Sequence, residues 1–232
     1  MPTESRSTPS YTPLSGADDI VRRMQALQIQ APIEIVAIGV STGGPQALIE
    51  VIPYLPANLV VPVLIVQHMP QTFTGALATS LNDKSVLTVI EGQNGQTLEA
   101  GRVYIAPGGK QMKIVQQSQR QAPNLLMTDD PPENHCKPSV DYLFRSVAPL
   151  YGKHALGVIM TGMGADGADG MMALRDAGAV TVAQDRESCV VFGMPGEAIA
   201  RGAAMHVATL LAMPQVIADA LRKRQADGRR AS

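Results

Sequence analysis

The 232-residue chain contains no tryptophan, and its three phenylalanines and five tyrosines amount to only 3% aromatic residues. Proteins that grip single-stranded nucleic acid stack bases on aromatic side chains, and little material for such a platform is present. Charge is scarce too, with 17% Asp, Glu, Lys and Arg against roughly 25% in an average soluble protein. Nineteen basic and twenty acidic side chains leave a net charge of −1, without the basic excess of a nucleic-acid binder. Two cysteines, Cys136 and Cys189, are too few for a disulfide framework, and no CxxC pair marks a zinc site. Long apolar runs are also missing. The stretch Leu59–Val66 is broken by Pro62 and falls far short of the ~20 residues that span a bilayer. The amino terminus lacks the basic start and apolar run of a signal peptide. The expectation is a soluble, cytoplasmic protein with no nucleic-acid partner and no membrane insertion.

What the chain does have is 45% hydrophobic residues and a length at which folding typically hides roughly 70% of the unfolded surface. Residues 1–31 read as a flexible tail rich in Ser, Thr and Pro, with a short Ile20, Met24, Leu27 stripe that suits one docking helix. Residues 32–221 carry globular rhythm, and the basic end 222–232 reads as a polar tail or frayed helix terminus. Four β-branched runs, 33–40, 60–67, 155–160 and 179–183, suit strands buried on both faces. Helical patterns at 45–52, 139–150 and 168–178 alternate with them. That alternation predicts an α/β, three-layer, doubly wound fold: a mainly parallel sheet with helices on both faces. One segment departs from it. Residues 103–115 place Pro107-Gly108-Gly109 between two alternating runs, which predicts an antiparallel β-hairpin.

The candidate chemistry lies at strand ends. Strand 33–40 runs into Ser41-Thr42-Gly43-Gly44-Pro45, where two glycines allow a sharp turn and Pro45 suits a helix start. Gly39-Val40-Ser41-Thr42-Gly43 matches the G-x-S-x-G nucleophile elbow, which lifts a hydroxyl beside a helix N-terminus. A plain capping serine satisfies the same five residues, and a phosphate-binding P-loop would need a Lys-Ser/Thr pair that is absent. His68 ends the second strand before Pro70, and Asp166 follows the strand at 155–160. Ligands of open α/β sheets gather at the carboxyl ends of strands, so these three side chains converge if their strands are neighbours. Ser, His and Asp at one edge supply a nucleophile, a general base and an anion that orients the base. The order Ser41, His68, Asp166 differs from the Ser, Asp, His order of α/β-hydrolases. His68 alone also fits a structural imidazole bonded to a carbonyl. A metal trio of His135, Cys136 and Cys189 is conceivable but has no recognised ligand spacing.

A rival reading uses the same loop. Gly162-Met163-Gly164-Ala165-Asp166-Gly167 satisfies G-x-G-x-x-G between a strand and a helix, and Asp185 follows at the distance of a ribose-binding acid. A dinucleotide-binding oxidoreductase module therefore stands beside the hydrolase. The hydroxyl and imidazole at two other strand ends tip the balance toward hydrolysis.

Six strings carry a resemblance: IGVSTGGPQAL (38–48), VQHMPQTFT (66–74), YIAPGGKQM (104–112), KPSVDYLF (137–144), GVIMTGMGADGADGM (157–171) and SCVVFGMPGEAI (188–199). Together they resemble the catalytic domain of chemotaxis protein-glutamate methylesterases, over about Ile33 to Leu211. The resemblance implies Ser41 as nucleophile, His68 as base, Asp166 as orienting acid, and backbone N–H groups of Met163 and Thr42 as oxyanion donors. It implies hydrolysis of glutamate γ-methyl esters, with release of methanol, on the cytoplasmic helices of methyl-accepting chemotaxis receptors. Deamidation of receptor glutamines is implied by the same route, with no metal and no organic cofactor. On this reading the glycine fingerprint is a false positive. Family members commonly carry a receiver domain ahead of the esterase, and the roughly 30 residues before Ile33 are too few for one. A stand-alone esterase, a removed receiver and a separate receiver protein all satisfy that observation. The chain as given is expected to be active without phosphorylation.

Overall fold

The computed structural model describes residues 31–118 and 121–228, with side chains through Leu221. The Ile20–Leu27 stripe and the last four residues lie outside them. Strand β1 (Ile35–Val40) is followed by helix α1 (Gly44–Val51), β2 (Val63–Gln67) and α2 (Gln71–Asn82). Next come four strands, β3 (Thr88–Glu91), β4 (Arg102–Ile105), β5 (Gln111–Val115) and β6 (Asn124–Thr128). Helix α3 (Val140–Tyr151), β7 (Ala155–Ile159), α4 (Ala168–Asp176) and β8 (Val180–Gln184) continue the chain. Helix α5 (Met194–Ala200), β9 (His206–Ala208) and α6 (Met213–Gly228) complete it. No described helix is long and apolar enough to cross a membrane.

Seven strands form one sheet in the order β3-β4-β2-β1-β7-β8-β9, and every neighbouring pair is parallel. Strand side chains alternate between faces, and β1 divides accordingly. Val36, Ile38 and Val40 pack with Leu48 and Val51 of α1, Leu81 of α2 and Ile217 of α6. Ile35 and Ala37 pack on the opposite face with Leu143 and Phe144 of α3, Leu174 of α4 and Met194 of α5. All six residues of β1 are buried, as expected of a central strand covered by helices on both sides. The three-layer, doubly wound architecture is thus present. Between β1 and β7 the chain reverses the direction in which strands are added, which makes this junction the topological switch point.

The hairpin expected at 103–115 does not form. Its first half is β4, which joins the parallel sheet between β2 and β3. Its second half is β5, which pairs antiparallel with β6 in a separate two-stranded sheet, Gln111 opposite Thr128. The antiparallel element exists, but its partner lies downstream. The buried Val103, Tyr104 and Ile105 explain the exchange: they are apolar on both faces, as the inner sheet requires and a half-exposed hairpin does not.

Candidate active site

Ser41, His68 and Asp166 follow β1, β2 and β7, three adjacent strands at the switch point. Register brings the strand ends level: Val40 pairs with Gln67, and Gly39 with Ile159. The chain leaves β1 through Gly43, at φ +80°, and α1 begins at Gly44 with Pro45 in its first turn. Gly43 supplies the left-handed turn expected of the two glycines. Gly44 serves for space, since a Cβ there would lie 1.9 Å from Gln67 Oε1.

Gln67 was not singled out by the sequence motifs, yet it joins two of the three segments. Its buried amide nitrogen donates to the carbonyl oxygens of Ser41 and His68, each at 3.0 Å. Thr161, at the end of β7, holds the Ser41 turn from the other side. Its hydroxyl donates to the Thr42 carbonyl at 2.9 Å and accepts from Val191 N at 3.0 Å, while Thr161 O accepts from Ser41 N at 2.9 Å.

His68 and Asp166 are in direct contact, Nε2 to Oδ2 at 2.7 Å, with the imidazole 13% and the carboxylate 2% exposed. Asp166 sits over the first turn of α3. It accepts from Ser139 Oγ at 2.7 Å, Val140 N at 2.7 Å and Asn134 Nδ2 at 3.1 Å. Ser139 caps α3 by accepting from Tyr142 N, so one hydroxyl serves both the helix and the acid. Burial pushes the Asp166 carboxyl toward neutrality, but hydrogen bonds from His68, Ser139, Val140 and Asn134 prevail and hold its pKa at about 2. The helix N-terminus favours the same charged state. Burial also disfavours the His68 cation, yet hydrogen bonds and charge from Asp166 and Cys136 outweigh it and raise the pKa to about 9. Asn134 donates from the same amide to Asp141 Oδ2 at 2.8 Å. Burial first, then the charges of Asp166 and Asp169, raise that second carboxyl to about 6.

With Nε2 engaged by Asp166, Nδ1 is the ring nitrogen left for other partners, and Cys136 Sγ lies 3.5 Å from it. Among the described residues the Ser41 hydroxyl makes no hydrogen bond, and the N–H groups of Thr42 and Met163 donate none. Hydrogen bonds of catalytic groups often tighten only once substrate is bound, and two undonated N–H groups are what an oxyanion requires. Met163 is 68% exposed.

Two other expectations meet a different arrangement. His135 and Cys189 do not join a metal-ligand group. Among the described residues the group of potential ligands is His68, Cys136 and Asp166, whose ligand atoms lie within 4.8 Å of one another. Asp185 is 5% exposed and its carboxylate accepts from Ser188 N at 3.1 Å and from Ser188 Oγ, so it is committed to a local turn. Asp166, inside the glycine fingerprint, is turned inward onto α3. The dinucleotide reading is therefore set aside: its ribose acid is already bonded, and its loop carries a buried anion where a pyrophosphate would approach. Gln67, Asn134 and Ser139 were missed from the sequence because their partners are distant along it. Ser139, the first residue of the helical pattern at 139–150, is the N-cap of α3, and a serine at that place was the one local signal.

Known proteins resemble this chain over most of its length. Residues 36–217 match the family model described as CheB methylesterase. A protein-glutamate methylesterase/protein-glutamine glutaminase of Desulfotalea psychrophila is 56% identical over 162 residues, 70% of this chain and 44% of the relative. A protein of the same name from Desulfitobacterium hafniense is 47% identical over 194 residues, 83% of this chain and 49% of the relative. The chain thus spans about half the length of the curated relatives it matches. The crystal structure of the Thermotoga maritima CheB methylesterase catalytic domain superposes with a TM-score of 0.78 at 38% identity, covering 82% of this chain and 99% of that one. The seven-stranded sheet, its switch-point serine, histidine and aspartate, and these matches converge: the chain belongs to the CheB methylesterase family.

Proposed function

We propose that Ser41, His68 and Asp166 form a catalytic triad that hydrolyses glutamate γ-methyl esters on the cytoplasmic helices of chemotaxis receptors, and that the protein works in the cytoplasm. The observation that carries the reading is the buried His68-Asp166 pair at 2.7 Å, one strand away from a serine at a helix-capped turn. Neutral His68 accepts the Ser41 proton as Oγ attacks the ester carbonyl. The N–H groups of Thr42 and Met163 receive the oxyanion. The imidazolium, held by Asp166, returns its proton to the departing methoxide, and methanol leaves. Water then enters by the reverse sequence, and free glutamate is released with Ser41 regenerated. A receptor glutamine follows the same route with ammonia as the leaving group, which is deamidation. The chemistry calls for no metal and no organic cofactor.

Ser41→Ala tests the reading, because it removes one oxygen that makes no hydrogen bond among the described residues. Methanol release from methylated receptor membranes should fall by several orders of magnitude while the circular dichroism spectrum is unchanged. Turnover within tenfold of the parent would overturn the assignment.

A further inference from the structure

Cys136 takes no part in the proposed hydrolysis, yet it stands against the base. Its sulfur is 3.5 Å from His68 Nδ1, half-buried on the 131–138 segment that also delivers Asn134 to Asp166. A tetrahedral zinc ion with bonds of ~2.05 Å to nitrogen and ~2.3 Å to sulfur separates those ligands by about 3.6 Å. The two atoms are therefore already at ligand spacing. The far side of the ring is also prepared. Zinc-bound imidazoles usually hand their second nitrogen to a carboxylate, which fixes the ring and strengthens the donor. Asp166 holds His68 Nε2 in that way at 2.7 Å, and is itself fixed by Ser139, Val140 and Asn134.

We propose that His68 Nδ1 and Cys136 Sγ form an inhibitory site for a thiophilic divalent cation, for which Zn2+ is the probe. The ion occupies the nitrogen lone pair that would otherwise accept the Ser41 proton, so the bound enzyme has no general base. Two protein ligands leave the remaining positions to water, so binding is in the micromolar range and reversible. The inhibitory role rests on the hydrolase reading above, whereas the binding site does not.

The test combines metal binding with inhibition, using the full chain. Zinc affinity is measured by competition with a chromophoric chelator, and Co2+ is substituted to look for thiolate-to-cobalt charge-transfer absorption. The parent should bind one ion per chain, show the thiolate band, and lose methylesterase activity with a midpoint that EDTA reverses. Cys136→Ser should weaken binding at least tenfold, abolish the band and raise the inhibition midpoint at least tenfold, each relative to its own zinc-free rate. His135→Ala, whose side chain is exposed, and Cys189→Ser, whose thiol burial pushes up to about 12, serve as controls that keep the parent's affinity. Ser41→Ala should bind zinc as the parent does. Equal zinc affinity in the parent and Cys136→Ser, or bound cobalt without a thiolate band, would overturn the site. Turnover that survives Ser41→Ala would instead overturn the hydrolase reading and leave the metal affinities as they stand.

Discussion

The pH profile of acylation offers a demanding check, because the environment of His68 sets it. Burial pulls the imidazole toward neutrality, while Asp166 at 2.7 Å and Cys136 at 3.5 Å pull harder the other way and raise its pKa to about 9. On the proposed mechanism only neutral His68 accepts the serine proton. The competent fraction is then about one in a hundred at pH 7 and about one in ten at pH 8. The logarithm of kcat/KM should climb with unit slope from pH 6.5 and level off above pH 9. Asp166→Asn removes the main support of the cation, so the imidazole, followed by NMR, should titrate at least one pH unit lower. Maximal turnover should drop by roughly 10³–10⁴ in that variant. The same shift has a stability side. A folded pKa raised from 6.5 to about 9 corresponds to roughly 3 kcal/mol. Its sign is that of a raised base: the contribution is complete below pH 6.5 and disappears as pH rises through 9. Asp166, held at about 2, carries the opposite sign, complete above its ordinary carboxylate range and lost as pH falls through 2. The two describe one ion pair and count once, so urea unfolding should show the pair at full strength between about pH 4 and 6.5. A flat kcat/KM between pH 6.5 and 9, or an imidazole that titrates at or below 6.5, would refute the argument.

Other expected outcomes follow from single contacts. Ser139→Ala removes a hydroxyl that both caps α3 and donates to the buried Asp166, so urea unfolding should register a loss of about 2–3 kcal/mol. Gly44→Ala drives a methyl group toward Gln67 Oε1 and displaces the amide that ties Ser41 to His68. It should cost about 1–3 kcal/mol in unfolding assays and lower kcat more than it raises KM. Titration with NAD, NADP or FAD followed by calorimetry should show no saturable binding, and micromolar binding abolished by Gly164→Val would restore the dinucleotide reading.

Much of the fold was legible because apolar runs and helical patterns alternate along the chain. The runs at 33–40, 60–67, 155–160 and 179–183 contain β1, β2, β7 and most of β8, since continuous β-branched stretches have few other uses. Three strand ends were enough to place Ser41, His68 and Asp166 at one edge of the sheet, because all parallel strands of a doubly wound sheet end on one edge. What stayed hidden depends on partners remote in sequence. The pairing of β5 with β6 rather than β4 is decided by the place that β4 fills in the sheet. Asp166 is fixed by α3, 26 residues upstream at Val140, and no local spacing records that approach. Cys136 was grouped with His135 and Cys189 rather than with His68 for the same reason: the imidazole beside it is 68 positions away.

The switch point between β1 and β7 also divides the site between the two halves of the chain. The proposed nucleophile and base, Ser41 and His68, follow β1 and β2, which α1 connects, and Gln67 bonds to the carbonyls of both. Asp166 and the α3 turn that fixes it come from the half of the chain beyond β6, whose strand β7 pairs with β1. A chain whose second half is loose therefore loses both the Asp166 carboxylate that anchors the imidazole and the Thr161 contacts that hold the Ser41 turn. On the proposed mechanism turnover needs both halves in place, so its recovery during refolding is expected to track the closing of the two.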